Sequence, residues 1–239
     1  MSRPTQMIFR RELAAYFNSA LALIIIPVFL ALVAGFSLWF EDLLTADFLS
    51  LRPVYFWISI SYLLLVPAVT MHLFAEEQRT GSIELLMTLP VTEEQMVWGK
   101  YLAALTLMSV GLLLTLSYPI TLSLLGDMDW GPVIGGYFGL FLLGAALSAI
   151  GVAASALTKN QIIAFLLALL ASIVPFATGF ALPKVPPSLL PLVQFLSFES
   201  HFANLSKGII DSRTVIFYLS VVLLFLQISI FVLRRRRLS

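Results

Sequence analysis

The sequence predicts an all-α integral membrane protein with six transmembrane helices. Three observations predict it. The chain of 239 residues is 60% hydrophobic and only 11% charged, whereas a soluble domain carries roughly 25% charged residues. Six apolar segments reach the about 20 residues that a helix needs to cross a bilayer. Lys and Arg gather in alternate connections, as the positive-inside rule requires.

The N-terminal stretch MSRPTQMIFRRELAAYF is basic and then apolar. The following run, Ala20–Phe40, exceeds a signal-peptide core of about 7–15 residues. It also lacks a small-x-small cleavage site before Glu41. A retained first span is therefore expected, over Ser19–Phe40. Within residues 1–18, Met7, Phe9, Leu13 and Phe17 alternate with Arg10, Arg11 and Glu12. That pattern fits an interfacial helix lying in the headgroup plane. Simple positive flanking charge fits it equally well.

The remaining spans are read at Val54–Phe74, Tyr101–Leu125, Val133–Leu157, Gln161–Leu182 and Val215–Leu233. Pro27, Pro67, Pro119 and Pro175 fall inside spans. They kink a membrane helix without excluding it, because neighbouring helices satisfy the freed carbonyls. Six spans put both termini on one side. Arg3, Arg10, Arg11, Arg79, Lys100, Lys159 and Arg234 to Arg237 make that side cytoplasmic, against Arg52, Lys184, Lys207 and Arg213 outside. The last outer connection, 183–214, is rich in Leu, Val and Phe and broken by prolines. It predicts short helices at, or dipping into, the outer interface.

Composition also excludes. There are no cysteines, hence no disulfides, iron–sulfur clusters or thiolate zinc. His72 and His201 are too far apart to suggest a metal site. No span carries an acidic or basic residue at its middle, which weighs against a proton-driven carrier. There is no G-x-x-x-x-G-K-[ST] loop, so the chain does not bind ATP in the P-loop manner. His72 reads as an interface residue or hydrogen-bond partner rather than a proton shuttle. Glu199 and His201 beside Ser197 and Ser200 lack any defined activating geometry for an acid–base pair. No catalytic residues and no nucleic-acid patch are found.

Chemistry-bearing residues concentrate in the cytoplasmic connection 75–100. Gly81 and Ser82 offer a helix start, and Ile83, Leu86 and Met87 form an i, i+3, i+4 apolar face widened by Leu85 and Leu89. Pro90 stops it. Thr92-Glu93-Glu94-Gln95 is a capping box, and its carboxylates suit the positive end of a helix dipole. Glu76 and Glu77 sit instead at a helix C-terminus, where the dipole disfavours negative charge. They need a cation: Arg79, Arg10 or Arg11, or a basic patch on a partner. In the fourth span, Gly144, Ser148, Gly151 and Ser155 share one face. Close helix packing is the expected use of such small residues, and a substrate path is the other reading.

One pattern is more specific. Glu76, Glu77, Gly81, Ser82, Glu84, Leu85, Leu86, Thr88, Pro90, Val91, Gln95, Val97, Gly99 and Lys100 together resemble a signature of ABC type-2 exporter permeases. Within them the sequence looks most like the GldF-type subfamily, with NosY-type permeases more distant. TKNQIIAF at Thr158–Phe165 and the segment from Ser197 to Ser220 are similar to the family as well. The resemblance implies a type V exporter fold: one six-span permease domain over 1–239, with an N-terminal interfacial helix, a coupling helix between spans 2 and 3, and re-entrant helices before span 6. It implies a dimer with a second copy or a related permease. It also implies an ABC ATPase partner that holds the ATP and Mg, a GldG-like extracytoplasmic auxiliary protein, and residence among the lipids of the bacterial inner membrane. No cofactor belongs to this chain. The ATPase-docking set is then Glu76, Glu77, Arg79, Gly81, Ser82, Glu84, Leu85, Leu86, Met87 and Pro90. A different class of function stays open: a membrane anchor that transmits force to an extracytoplasmic partner and transports nothing.

Overall fold

The computed structural model describes residues 2–39, 51–83, 90–126, 128–182 and 185–238. Six helices among them are long and apolar enough to cross a membrane: Ala20–Ser37, Arg52–Thr80, Glu93–Leu124, Trp130–Leu157, Gln161–Ala181 and Ser212–Arg237. No strand occurs among the described residues.

Helix α1, Arg3–Asn18, buries Thr5, Ile8, Glu12 and Tyr16. These lie at i, i+3, i+7 and i+11, one face of a helix. Ser19 then turns extended, with φ −95° and ψ 164°, and α2, Ala20–Trp39, forms span 1. Span 2 is built from α3, Arg52–Thr70, and α4, His72–Thr80. Gly81 ends α4 in the left-handed region at φ 73°, a conformation that glycine adopts without strain. Gly81 was expected to start a helix; it closes one instead, and helical backbone resumes at Ser82–Ile83.

Span 3 begins as read, with the Thr92 hydroxyl accepting from the Gln95 N–H and the Gln95 side chain accepting from the Thr92 N–H. Its first part is α5, Glu93–Leu114, and its second is α6, Ser117–Leu125. The break has an identifiable cause. Pro119 has no N–H to give the Thr115 carbonyl four residues back. That carbonyl accepts from the Tyr137 hydroxyl at 2.7 Å and from the Tyr118 N–H at 3.0 Å.

Span 4 is α7, Trp130–Leu157, and it is the axis of the bundle. In its most apolar 18-residue stretch 89% of the residues are buried within the chain, against 28% for the like stretches of spans 1 and 5 and 33% for that of span 6. The outer helices therefore turn large apolar side chains such as Leu23, Leu166, Leu170 and Leu223 outward, as a hydrocarbon surrounding permits. Span 5 is α8, Gln161–Ala181. Between it and span 6 come two short helices, α9, Leu190–Leu196, and α10, Phe198–Leu205. The final helix, α11, Ser212–Leu238, carries Arg234 to Arg237 within its last turns.

Candidate functional site

Helix α1 and the last turns of α11 lie at one end of the bundle, around the roots of the connection between spans 2 and 3. α1 is held against the start of α5 by close approach at Gly99. A Cβ there would stand 2.8 Å from Ile8 Cγ2 and 3.1 Å from the Thr5 carbonyl oxygen. The next residue, Lys100, is 1% exposed. A buried ammonium needs full hydrogen bonding and opposite charge. Lys100 Nζ finds the Glu12 carboxylate at 3.1 Å, the Glu77 carboxylate at 2.9 Å and the Leu73 carbonyl at 2.7 Å. The Phe74 ring lies 5.1 Å from the same ammonium. Arg11, half exposed, closes the cluster at 2.6 Å from Glu12 and 3.0 Å from Glu77.

Two cations and two carboxylates thus tie α1, α4 and α5 together. Burial pushes the Glu12 carboxyl up, but the charge of Lys100 and the charge and hydrogen bond of Arg11 outweigh it, and the net shift is downward. Tyr16, one turn along α1, donates to the Val69 carbonyl at 3.1 Å and packs edge-on against His72. Burial, then the nearby Glu12 charge, push its phenol well above the usual range. His72 is an aromatic packing partner, and its Nδ1 is buried without a hydrogen-bond partner.

Of the residues read as an ATPase-docking set, the structure brings Glu77 into this cluster. Glu76 lies 3.7 Å from Arg79 and accepts from the Gln161 side chain at 3.0 Å. Ser82 bonds the Thr80 hydroxyl at 2.9 Å. Pro90, Val91 and Met96 line a groove of about 340 Å³ with Pro4, Met7, Ile8 and Arg11 of α1. Glu84, Leu85, Leu86 and Met87 lie outside the described residues. Arg11 was among the cations expected for Glu77. Lys100, read from the sequence only as a cytoplasmic charge and a residue of the signature, is a buried tie.

The C-terminal arginines are more than topological charge. Arg234 meets Glu94 at 2.6 Å and Arg237 meets Glu93 at 2.8 Å. Arg236 donates to the Gln78 side-chain oxygen and, at 3.2 Å, to the Leu157 carbonyl. Gln78 in turn donates to the Ala156 carbonyl at 2.9 Å. The end of α11 therefore grips both roots of the connection, one at Gln78 and one at Glu93 and Glu94.

The small-residue face of α7 lies along span 2. Gly144 backs onto Tyr62, where a Cβ would be 3.0 Å from the ring. Gly151 backs onto Thr70, where it would be 2.0 Å from Oγ1. Ser155 does something that packing alone does not require. Its hydroxyl donates to the Met71 carbonyl at 2.9 Å and accepts from the N–H groups of Phe74 at 2.9 Å and Ala75 at 3.1 Å. First-turn N–H groups have no intrahelical partner, so Ser155 caps α4 from a neighbouring helix. Ser148 is buried and its hydroxyl has no hydrogen-bond partner.

At the opposite end, Ser197, Ser200 and His201 are engaged structurally. Ser197 caps α10 by accepting from the Ser200 N–H, and Ser200 donates to the Gln194 carbonyl at 2.7 Å. The His201 ring stacks on Phe217 at 4.0 Å. Its Nε2 lies 3.1 Å from the Phe195 carbonyl oxygen. No serine there has a histidine base. Among the described residues, no three His, Asp or Glu side chains gather as a metal site.

A six-span helical chain with a charged elbow between spans 2 and 3 now has a counterpart among known families. The sequence profile described as ABC-2 family transporter protein matches residues 43–233. The chain belongs to the ABC-2 transporter family. As a member it is a multi-pass membrane protein and a permease subunit, of a kind that normally leaves catalysis to an ABC ATPase partner. A search of curated proteins gives no match.

Proposed function

We propose that this ABC-2 permease is GldF-like and couples ATP hydrolysis by a separate nucleotide-binding subunit to export across the bacterial inner membrane, with its termini cytoplasmic. In this reading the segment Ser82–Leu89 is the coupling helix and docks on the ATPase. Glu84 supplies charge, and Leu85, Leu86 and Met87 fill an apolar groove. Two copies, or one copy and a related permease, enclose the path, and a GldG-like protein binds outside.

The observation that carries the reading is the mounting of this segment. Its first root is fixed by Glu77 to Lys100 and Arg11, and by Gln78 to Arg236. Its second root is fixed by Glu93 and Glu94 to Arg237 and Arg234. A push on a segment held at both ends moves α1, span 3 and span 6 together rather than bending a loop. Small displacements pass through packed elements because such elements do not deform continuously.

The test is ATP hydrolysis by the assembled complex. Glu84→Lys is expected to weaken co-purification of the ATPase, and Leu86→Asp to abolish stimulation of its activity by the permease. Normal assembly and hydrolysis with both changes refutes the docking assignment.

A further inference from the structure

At the end of the bundle away from α1, a cavity of about 230 Å³ lies between α3, α8 and α10. Tyr55, Phe176 and Phe202 form aromatic walls, and Glu199, Arg52 and Lys207 supply charge. A second cavity of about 200 Å³ continues from it, sharing Arg52, Tyr55 and Lys207. Glu199 is laid flat on the backbone of span 5: a Cβ at Gly179 would stand 2.4 Å from its Oε2. Gly179 is thus what lets the carboxylate reach this position.

Among the described residues the Glu199 carboxylate makes neither an ion pair nor a hydrogen bond, and the Lys207 ammonium makes none either. They line one cavity with opposite charges and do not meet. A partly buried carboxylate without a donor is unfavourable unless something else supplies one. An ammonium ligand satisfies it and gains from ring faces as well. A purely cationic ligand is opposed by Lys207, and a purely anionic one by Glu199. The arrangement favours a small ligand that carries both signs.

We propose that this cavity binds an aminoethyl phosphate group, its ammonium on Glu199 among the aromatic walls and its phosphate on Lys207. That chemistry occurs in a phosphatidylethanolamine headgroup and in free phosphoethanolamine. The inference does not depend on what the transporter moves.

The test is calorimetric titration of the full chain, purified in detergent free of phospholipid. The probes are dihexanoyl phosphatidylethanolamine, dihexanoyl phosphatidylglycerol and phosphoethanolamine. The ethanolamine lipid is expected to bind about tenfold tighter than the glycerol lipid, the equivalent of one well-placed ammonium contact. Glu199→Gln erases that preference, weakening the ethanolamine lipid and relieving the repulsion of the glycerol lipid's phosphate. Lys207→Gln, at an exposed position, weakens both. Phosphoethanolamine that competes with the lipid assigns the site to the headgroup alone, and binding of the lipid only assigns it to the membrane. Equal affinity for the two lipids, or an ethanolamine preference that survives Glu199→Gln, overturns the proposal. Should Glu199→Gln fail to fold, unchanged lipid binding by Lys207→Gln overturns it as well.

Discussion

Replacing Lys100 by methionine removes a charge but keeps most of the volume. Glu12 and Glu77 then lose an ammonium at 3.1 and 2.9 Å, and the Leu73 carbonyl loses its donor at 2.7 Å. Removing one member of a buried ion pair destabilises by about 3–5 kcal/mol. Arg11 remains beside both carboxylates, but it is 50% exposed and recovers only part of this. The expected loss is about 2–3 kcal/mol. For a chain of this size each kcal/mol moves the thermal midpoint by about 2–4 °C, giving a fall of about 4–12 °C. The assay is thermal unfolding in detergent, followed by tryptophan fluorescence. The triple variant Lys100→Met, Glu12→Gln, Glu77→Gln removes the stranded charges and is expected to regain more than half of the loss, because neutral replacement of a whole buried ionic set is nearly cost-free. A single variant within about 2 °C of the parent, or a triple variant less stable than the single one, refutes the claim that Lys100 is a buried electrostatic tie.

The same cluster fixes a pH dependence. The Glu12 carboxyl is lowered from its ordinary value of 4.5 in the folded chain. The unfolded chain therefore binds this proton first, and the stabilisation is complete above pH 4.5 and lost as pH falls below it, through the folded value. The thermal midpoint should drop on acidification in that window, and Glu12→Gln should flatten the drop; an unchanged slope would place the acid sensitivity elsewhere. Helix contact gives a second comparison. Gly151→Ala sets a Cβ 2.0 Å from Thr70 Oγ1, whereas a Cβ at Gly35 meets nothing within 4 Å. Gly151→Ala should destabilise by about 1–3 kcal/mol and Gly35→Ala should not, as read by the same thermal assay. Equal effects would mean that spans 2 and 4 are not in tight register.

The spans were legible because a bilayer imposes its thickness on the sequence: twenty apolar residues can do little else there. The Thr92–Gln95 cap was legible because its partners are three residues apart. The need of Glu76 and Glu77 for a cation followed from the helix dipole, and Arg11 was correctly among the candidates for Glu77. Lys100 was missed because a lysine at the edge of an apolar run looks solvated. The signal was on α1: Glu12 shares the face of Thr5, Ile8 and Tyr16, and a carboxylate on a buried face requires a buried cation. The grip of Arg234 and Arg237 on Glu94 and Glu93 had no local sign at all, since the partners are separated by 140 and 144 positions. Glu93 and Glu94 were accounted for as caps, and nothing in a cap says that a distant chain end also uses it.

Ser155 gives span 2 a property that its own sequence does not encode. Met71 and Ala75 are four residues apart, the spacing of partners in an unbroken α-helix, and both hold the same foreign hydroxyl. Should span 4 slide so that Ser155 withdraws, these two groups can take each other, and the serine can turn to the carbonyl one turn back on its own helix. Of the three bonds, the two at Met71 and Ala75 are then exchanged, and only that of the Phe74 N–H is given up. The Met71–Ala75 turn is thus the point at which a shift of span 4 reaches span 2 above the elbow.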